Sequence, residues 1–298
     1  MSRPDMHILI TGGTGFIGRA LCRELLRTGC RVTVLSRRPG KARLPSEVRL
    51  VDRLDGLDGI DGVVNLAGEN LAEGRWSPAR KQAFRESRMG STRRLLDWLA
   101  GLSQRPAVLV SGSAIGYYGA AGDRVLDESA AAGSGFAAQL CQDWETEASK
   151  AEALGLRVCR LRIGVVLGRH GGALAKLLPA FRLGLGGRLG SGEQWMSWIR
   201  RSDLVRMILW LLRTETARGP YNGTAPEPLR NAEFTQLLAA ALGRPALLPL
   251  PAPLLRGLFG EMSELLLDGQ RVLPSRALAE GFEFRSPRLE PALHELLR

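Results

Sequence analysis

His7-Ile-Leu-Ile-Thr-Gly-Gly-Thr-Gly-Phe-Ile-Gly18 is the stretch that decides the fold. Its first four residues form a short apolar run and read as a strand buried on both faces. Thr11-Gly12-Gly13 ends the run, and the glycines at 12, 15 and 18 follow with the spacing G-x-x-G-x-x-G. From Phe16 to Thr28 the apolar residues Ile17, Ala20, Leu21, Leu25 and Leu26 recur at helical spacing, and Gly29 ends the helix. Arg31-Val-Thr-Val-Leu35 is the next strand. Strand, helix, strand over so few residues is a βαβ unit with a right-handed crossover. In that setting each glycine has a task. Gly12 permits the sharp turn out of the strand, Gly15 lets a pyrophosphate approach the backbone, and Gly18 lets helix and sheet pack closely. The helix start adds free N–H groups and a partial positive charge, which suit phosphate.

The alternation continues. Gly62–Leu66 and Ala107–Ser111 read as strands, Arg157–Arg162 as another, with helices predicted over 78–101 and 135–154 between them. Ser77 is the expected N-cap of the first of these helices, with Pro78 in its first turn. The pattern predicts an α/β fold, a Rossmann-like doubly wound parallel sheet with helices on both faces. After Gly168 the texture changes. Residues 171–192 are dense in glycine and leucine, Asp203–Leu212 reads as a helix, and prolines punctuate short helical pieces from Pro226 onward. The expected division is a dinucleotide-binding domain over 6–170, to which 203–225 returns. A smaller, mostly helical substrate lobe takes 171–202 and 226–298.

Composition narrows the function classes. The chain has 298 residues, 45% apolar and 24% charged, as a folded domain with an appended lobe would. It holds no run of about 18 apolar residues, so no membrane span is expected, and its scattered basic residues argue against a membrane partner as well. The net charge is +11, but the basic residues recur as scattered pairs, Arg37-Arg38, Arg93-Arg94 and Arg200-Arg201 among them, and argue against a nucleic-acid stripe. Cys22, Cys30, Cys141 and Cys159 form no C-x-x-C pair, and His7, His170 and His294 stand far apart, so no metal site is expected. Scattered cysteines, with an opening MSRPD too short and polar for targeting, predict a reducing cytoplasm.

The end of the second strand bears on the cofactor. A site that prefers NAD places Asp or Glu there for the ribose 2′-hydroxyl. This chain places Ser36-Arg37-Arg38, a hydroxyl and two guanidinium groups that suit a 2′-phosphate. NADP(H) is therefore the expected cofactor.

Taken together, Thr11–Gly18, Asn65-Leu-Ala-Gly-Glu-Asn70, Ser111-Gly-Ser-Ala-Ile-Gly-Tyr-Tyr-Gly119 and Leu161-Arg-Ile-Gly-Val-Val-Leu-Gly168 resemble the extended branch of the short-chain dehydrogenase/reductase superfamily. With Gly190–Trp195, Trp198-Ile199, Tyr221–Pro226 and Gly269–Pro274, the chain is similar to the group called epimerase family proteins, NADP-dependent oxidoreductases with a short C-terminal domain, here about 247–295. The resemblance implies cofactor contacts from Thr11, Gly12, Gly15, Phe16, Ile17 and Gly18, from Ser36, Arg37 and Arg38, and from Leu66, Ala67 and Gly68. It also implies Arg88 on the long helix and Val165 after the sixth strand.

The same resemblance exposes a gap. The superfamily's chemistry uses a tyrosine and a lysine four residues later, neighbours on one helix face, where the ammonium lowers the phenol pKa. In Phe136-Ala-Ala-Gln-Leu-Cys-Gln-Asp-Trp-Glu145 those places are Ala137 and Cys141, and no Tyr-x-x-x-Lys occurs in the chain. Ser113 fits the position that holds the substrate oxygen, and Tyr117 and Tyr118 on the same loop are the candidate acid/base groups. Gln194, Trp195 and Trp198 are the candidate substrate contacts. The expectation is an NADP(H)-dependent oxidoreductase acting on an unidentified small molecule. A non-catalytic NADP(H)-binding sensor and a sugar-nucleotide epimerase are the alternatives. By likeness to the family, a homodimer would form through the helices at 78–101 and 135–154.

Overall fold

A computed structural model describes residues 6–298; the opening MSRPD read for targeting lies outside the described residues. The first half carries strands β1 His7–Thr11, β2 Arg31–Leu35, β3 Arg49–Val51, β4 Gly62–Asn65, β5 Val108–Ala114 and the short β6 Val125–Leu126. After these come β7 Arg157–Ile163, β8 Val165–Gly168, β9 Trp195–Met196, β10 Trp198–Arg200, β11 Gly219–Gly223, β12 Leu229–Arg230 and β13 Arg271–Val272. Seven strands form one parallel sheet in the order β3-β2-β1-β4-β5-β7-β11. The chain winds outward from β1 to β3, then returns to β4 and winds the other way. The crevice above the ends of β1 and β4 is thus the topological switch point, where such sheets bind ligands. Register aligns Thr11, Asn65 and Ser111 in one row across three strands there.

Both faces of the sheet are covered, which explains strands that read as continuous apolar runs. On one face Ile8, Ile10, Val64 and Val110 pack with Leu21 and Leu25 of α1 (Phe16–Arg27) and with Leu204, Ile208 and Leu211 of α6 (Arg201–Arg213). Leu9, Val63 and Leu109 face the other way and meet Leu95 and Leu99.

Ser77 caps α2 (Pro78–Arg85), its side chain accepting the Arg80 N–H at 3.3 Å, with Pro78 in the first turn. The helix over 78–101 is not uniform, however. Glu86–Gly90 widen into a π turn before α3 (Ser91–Gly101). Gly90, at the end of this turn, lies against the Glu86 carboxylate. The π turn carries Arg88 and Met89 into the interior, as insertions of this kind often do at functional sites. Next comes α4 (Phe136–Ser149), continued by a 3₁₀ segment to Leu154.

The remaining helices are α5 Gly172–Arg182, α7 Asn231–Leu242, α8 Ala252–Phe259, α9 Glu264–Leu267, α10 Ser275–Ala279 and α11 Leu289–Leu297. A second core gathers Phe181, Trp198, Phe234, Leu238, Leu289 and Leu293. Between these lobe segments, α6 packs on α1 and β11 adds an edge strand beside β7. Arg75 donates to the Gly257 carbonyl at 2.9 Å and Lys81 pairs with Glu261 at 2.7 Å, so the C-terminal helices are tied across to the segment after β4.

Candidate functional site

The glycine turn has the geometry its residue types demand. Gly12 sits at φ +72°, and a Cβ there would lie 2.5 Å from the Leu66 carbonyl oxygen. At Gly18 a Cβ would overlap the Gly12 carbonyl, so α1 can lie this close to the turn only with glycine. Gly15 differs: a Cβ there would meet nothing nearer than the Gly12 carbonyl at 3.2 Å, so its outer side is open. Gly15 is also the N-cap of α1, no side chain caps it, and the first turn holds no acidic residue. The helix therefore presents uncapped N–H groups and the positive end of its dipole to an open backbone cradle, which fits a diphosphate.

The end of β4 is laid against this turn by hydrogen bonds. The Leu66 N–H donates to the Thr11 carbonyl at 3.1 Å and the Ala67 N–H to the Thr11 hydroxyl at 3.3 Å. Thr11 in turn donates to Asn65 Oδ1 at 2.6 Å, and the Asn65 amide donates to Thr92 at 2.9 Å. Asn65 and Thr92 are fully buried. They hold β1, β4 and α3 in register, a role their sequence context does not announce.

Ser36, Arg37 and Arg38 lie at the end of β2, with both arginines exposed and Ser36 half-buried. The Arg38 N–H donates to the Ser36 hydroxyl at 3.3 Å. Among the described residues neither guanidinium is engaged in an ion pair, so both are available to an anion. Arg88 is buried and donates to the Glu69 carbonyl at 2.9 Å and the Phe84 carbonyl at 3.2 Å; its guanidinium also borders Gly68. Burial lowers its pKa. Phe16 lies beneath the turn after β8, packed against Gly168, Gly171 and Gly172, with the Arg201 guanidinium 4.5 Å above its ring. Ile17 and Val165 are half-buried, and the Val165 N–H donates to the Ser197 carbonyl at 2.8 Å.

Ser113 stands one pleat beyond the Thr11–Asn65–Ser111 row. It is buried and donates its hydroxyl hydrogen to Glu145 Oε1 at 2.7 Å. Arg162, its register partner on β7, grips the same carboxylate with two bonds of 2.8 and 2.9 Å, and both members of this pair are about 95% buried. A third donor of Arg162 reaches the Tyr118 hydroxyl at 3.0 Å, and the Tyr117 ring lies 3.5 Å from the guanidinium carbon. Burial works against the Arg162 charge, but the Glu145 carboxylate more than offsets it and raises its pKa. Glu145 is the member of this network least visible in sequence: it lies two helical turns beyond Ala137. Arg162 is no easier to single out, being one of three arginines in the strand Arg157–Ile163.

Several expected site residues take other roles. Tyr118 is no acid/base candidate. It is 1% exposed, its hydroxyl donates to Asn222 Oδ1 at 2.7 Å, and burial pushes its pKa up to about 12. Tyr117 stays half-buried, and among the described residues its hydroxyl forms no hydrogen bond. Trp198 does not line a cleft. It is fully buried in the lobe core and its indole N–H donates to the Glu227 carbonyl at 3.0 Å. The Gln194 amide is spent on the Leu189 and Leu266 carbonyls at 3.0 and 2.9 Å, tying a loop together. Trp195, like Gln194, is half-buried. It donates to Asp123 at 2.9 Å and lies between the guanidiniums of Arg230 and Arg271. Cys141 is buried, and its thiol is pushed up to about 11, which keeps it protonated at neutral pH and unreactive. All four cysteines are free, and among the described residues no cluster of potential ligands could hold a metal ion.

The parallel sheet, the uncapped glycine turn and Ser113 at the end of β5 define a short-chain dehydrogenase/reductase fold of the extended kind, here without the tyrosine–lysine pair. The chain belongs to the NAD dependent epimerase/dehydratase family, which it matches over residues 8–222. Residues 250–296 match a domain of unknown function, DUF1731. The human epimerase family protein SDR39U1 is 38% identical over 296 residues, covering 98% of this chain and 100% of that protein. The chloroplastic SDR39U1 homolog of Arabidopsis thaliana is 40% identical over 305 residues, covering 99% of this chain and 87% of that protein. The crystal structure of human SDR39U1 (isoform 2) with NADPH matches at a TM-score of 0.89 and 37% identity, covering 98% of this chain and 99% of that one.

Proposed function

We propose that this chain is an NADP(H)-dependent oxidoreductase acting on a small hydroxyl or carbonyl substrate. The observation that carries the reading is the Ser113–Glu145–Arg162 network on β5, α4 and β7. The cofactor assignment draws on the open cradle at Gly15, on Arg37 and Arg38 at the end of β2, and on the NADPH in the human relative's structure. The diphosphate would rest on the first turn of α1, and the arginines would grip the 2′-phosphate. When bound, NADP(H) supplies or accepts the hydride.

The chain's own residues handle the proton. Ser113 has committed its hydrogen to Glu145, so toward a substrate oxygen it would act as an acceptor. A substrate hydroxyl can donate to Ser113 Oγ while the serine proton moves toward Glu145. Arg162 keeps the carboxylate oriented and compensates its charge. Tyr117, beside Arg162, is the second proton-exchanging candidate. We assign the nucleotide unit to 6–170 with 203–225 and the substrate lobe to 171–202 and 226–298. A reducing cytoplasmic setting suits the four free thiols, and a homodimer through 78–101 and 135–154 rests on family likeness.

Calorimetric titration with NADPH and NADH is the direct test. NADPH should bind at least tenfold more tightly; failure of NADPH to bind removes the proposal. One observation favours a second reading, a non-catalytic NADP(H) sensor: Ala137 and Cys141 stand where tyrosine and lysine would act. Turnover of any carbonyl or alcohol substrate that disappears in Ser113→Ala would dismiss the sensor. The epimerase reading rests on family membership, and it would require tightly held NAD in the purified protein.

A further inference from the structure

Exposed leucines are concentrated on one part of the lobe. Leu183, Leu185, Leu247, Leu248, Leu254 and Leu258 each leave between 48 and 77% of their surface open to water. They belong to three adjoining segments. The loop after α5 runs beside residues 248–250, with the Leu248 N–H donating to the Gly186 carbonyl at 3.4 Å and the Leu250 N–H to the Arg188 carbonyl at 2.9 Å. That second segment leads directly into α8, where Leu255 is buried while Leu254 and Leu258, four residues apart, share an outer stripe. Single exposed leucines are ordinary, but a contiguous group marks an interaction surface.

The charges around them identify the partner. Arg182, Arg188, Arg244 and Arg256 are exposed on the same segments, and among the described residues none of them is engaged in an ion pair. The stretches 171–192 and 242–260 hold no Asp or Glu, where the chain average of 30 in 298 would place about four. Glu261, the first acid after α8, is taken up by Lys81, and Asp268 beyond it attracts Arg256 without forming an ion pair with it. We infer that this face docks on the surface of an anionic lipid bilayer, the leucines entering the interface and the arginines meeting lipid phosphates. This is the pattern of a peripheral contact, in which apolar side chains and basic charge act together. It needs no spanning helix, and no described helix is long and apolar enough to be one. A second copy of the chain is a poorer occupant, because a twofold contact would press the same arginines against each other.

Sedimentation of the full chain with lipid vesicles tests the inference independently of the proposed oxidoreduction. Vesicles of phosphatidylcholine with about one third phosphatidylglycerol should carry down at least tenfold more protein than pure phosphatidylcholine, with release at high salt. The double variant Leu247→Glu/Leu258→Glu changes only exposed positions. It should keep the wild-type melting temperature and lose most of the binding. Three results overturn the proposal: no binding to the anionic vesicles; undiminished binding by the double variant, which would assign attraction to the general +11 charge; or a wild-type dimer that the double variant converts to monomer.

Discussion

The Ser113 hydroxyl donates to a carboxylate oxygen of Glu145 across 2.7 Å, and that carboxylate is held from its other side by Arg162. A serine in this state accepts rather than donates toward a ligand. Ser113→Ala should therefore leave NADPH affinity unchanged and lower turnover about 10²-fold or more, the usual scale for a lost proton-transfer group. Equal turnover in the variant would remove Ser113 from the chemistry. Glu145→Gln should act on turnover and on folding together, because it leaves the Arg162 charge buried without compensation. A loss of about 3–5 kcal/mol is expected from denaturant unfolding.

Arg37→Ala probes the cofactor's extra phosphate. A lost charge-assisted hydrogen bond costs about 1.5–3 kcal/mol, so NADPH should bind roughly 10- to 150-fold more weakly. NADH, lacking that phosphate, should be little affected. A parallel loss for both nucleotides would place Arg37 elsewhere.

The adjacent tyrosines should separate cleanly. Tyr118→Phe removes the hydroxyl that joins Arg162 to Asn222 and leaves two buried polar groups short of a partner. A destabilisation of about 1–3 kcal/mol follows, read as a shifted unfolding midpoint. Tyr117→Phe removes a hydroxyl with no such bond and should leave the midpoint within about 0.5 kcal/mol of wild type. Reduced turnover in Tyr117→Phe with unchanged stability would identify it as the proton-exchanging phenol.

His7 makes the fold sensitive to mild acid. It is buried at the start of β1, with Nε2 bonded to the Thr33 hydroxyl at 2.8 Å; burial, helped by the Arg31 charge, lowers its pKa below the ordinary 6.5. The unfolded chain therefore takes up the proton first as pH falls. The stability held by neutral His7 is complete above about pH 6.5 and declines as pH drops toward the folded value. The melting temperature should fall between pH 7.5 and 5.5, and His7→Gln should flatten that slope. An identical slope in the variant would clear His7 of the effect.

Local chemistry made much of this molecule legible. Glycine is the residue that can turn at φ +72° with the Leu66 carbonyl against its α-carbon, so the 12–18 spacing announced the turn and the βαβ unit. Apolar runs covered on both faces announced the parallel sheet, and Ser77-Pro78 announced a helix start. The π turn at Glu86–Gly90 was not legible, because its residues continue a helical pattern and nothing local marks the wider turn.

The site divides in the same way. The glycine cradle and the arginines at the end of β2 are set by short-range sequence, since a turn and a strand end are local objects. The Ser113–Glu145–Arg162 network and the burial of Trp198 were decided only by tertiary structure. Ser113 and Glu145 are 32 residues apart, and their meeting depends on how α4 lies against β5 and β7. Trp198 reads in sequence as an aromatic near a cleft, but the fate of an indole depends on what packs over it, here Phe234 and Leu289 from segments far along the chain. Backbone preference is written residue by residue, whereas the partner of a buried charge or ring is chosen when distant segments close over it.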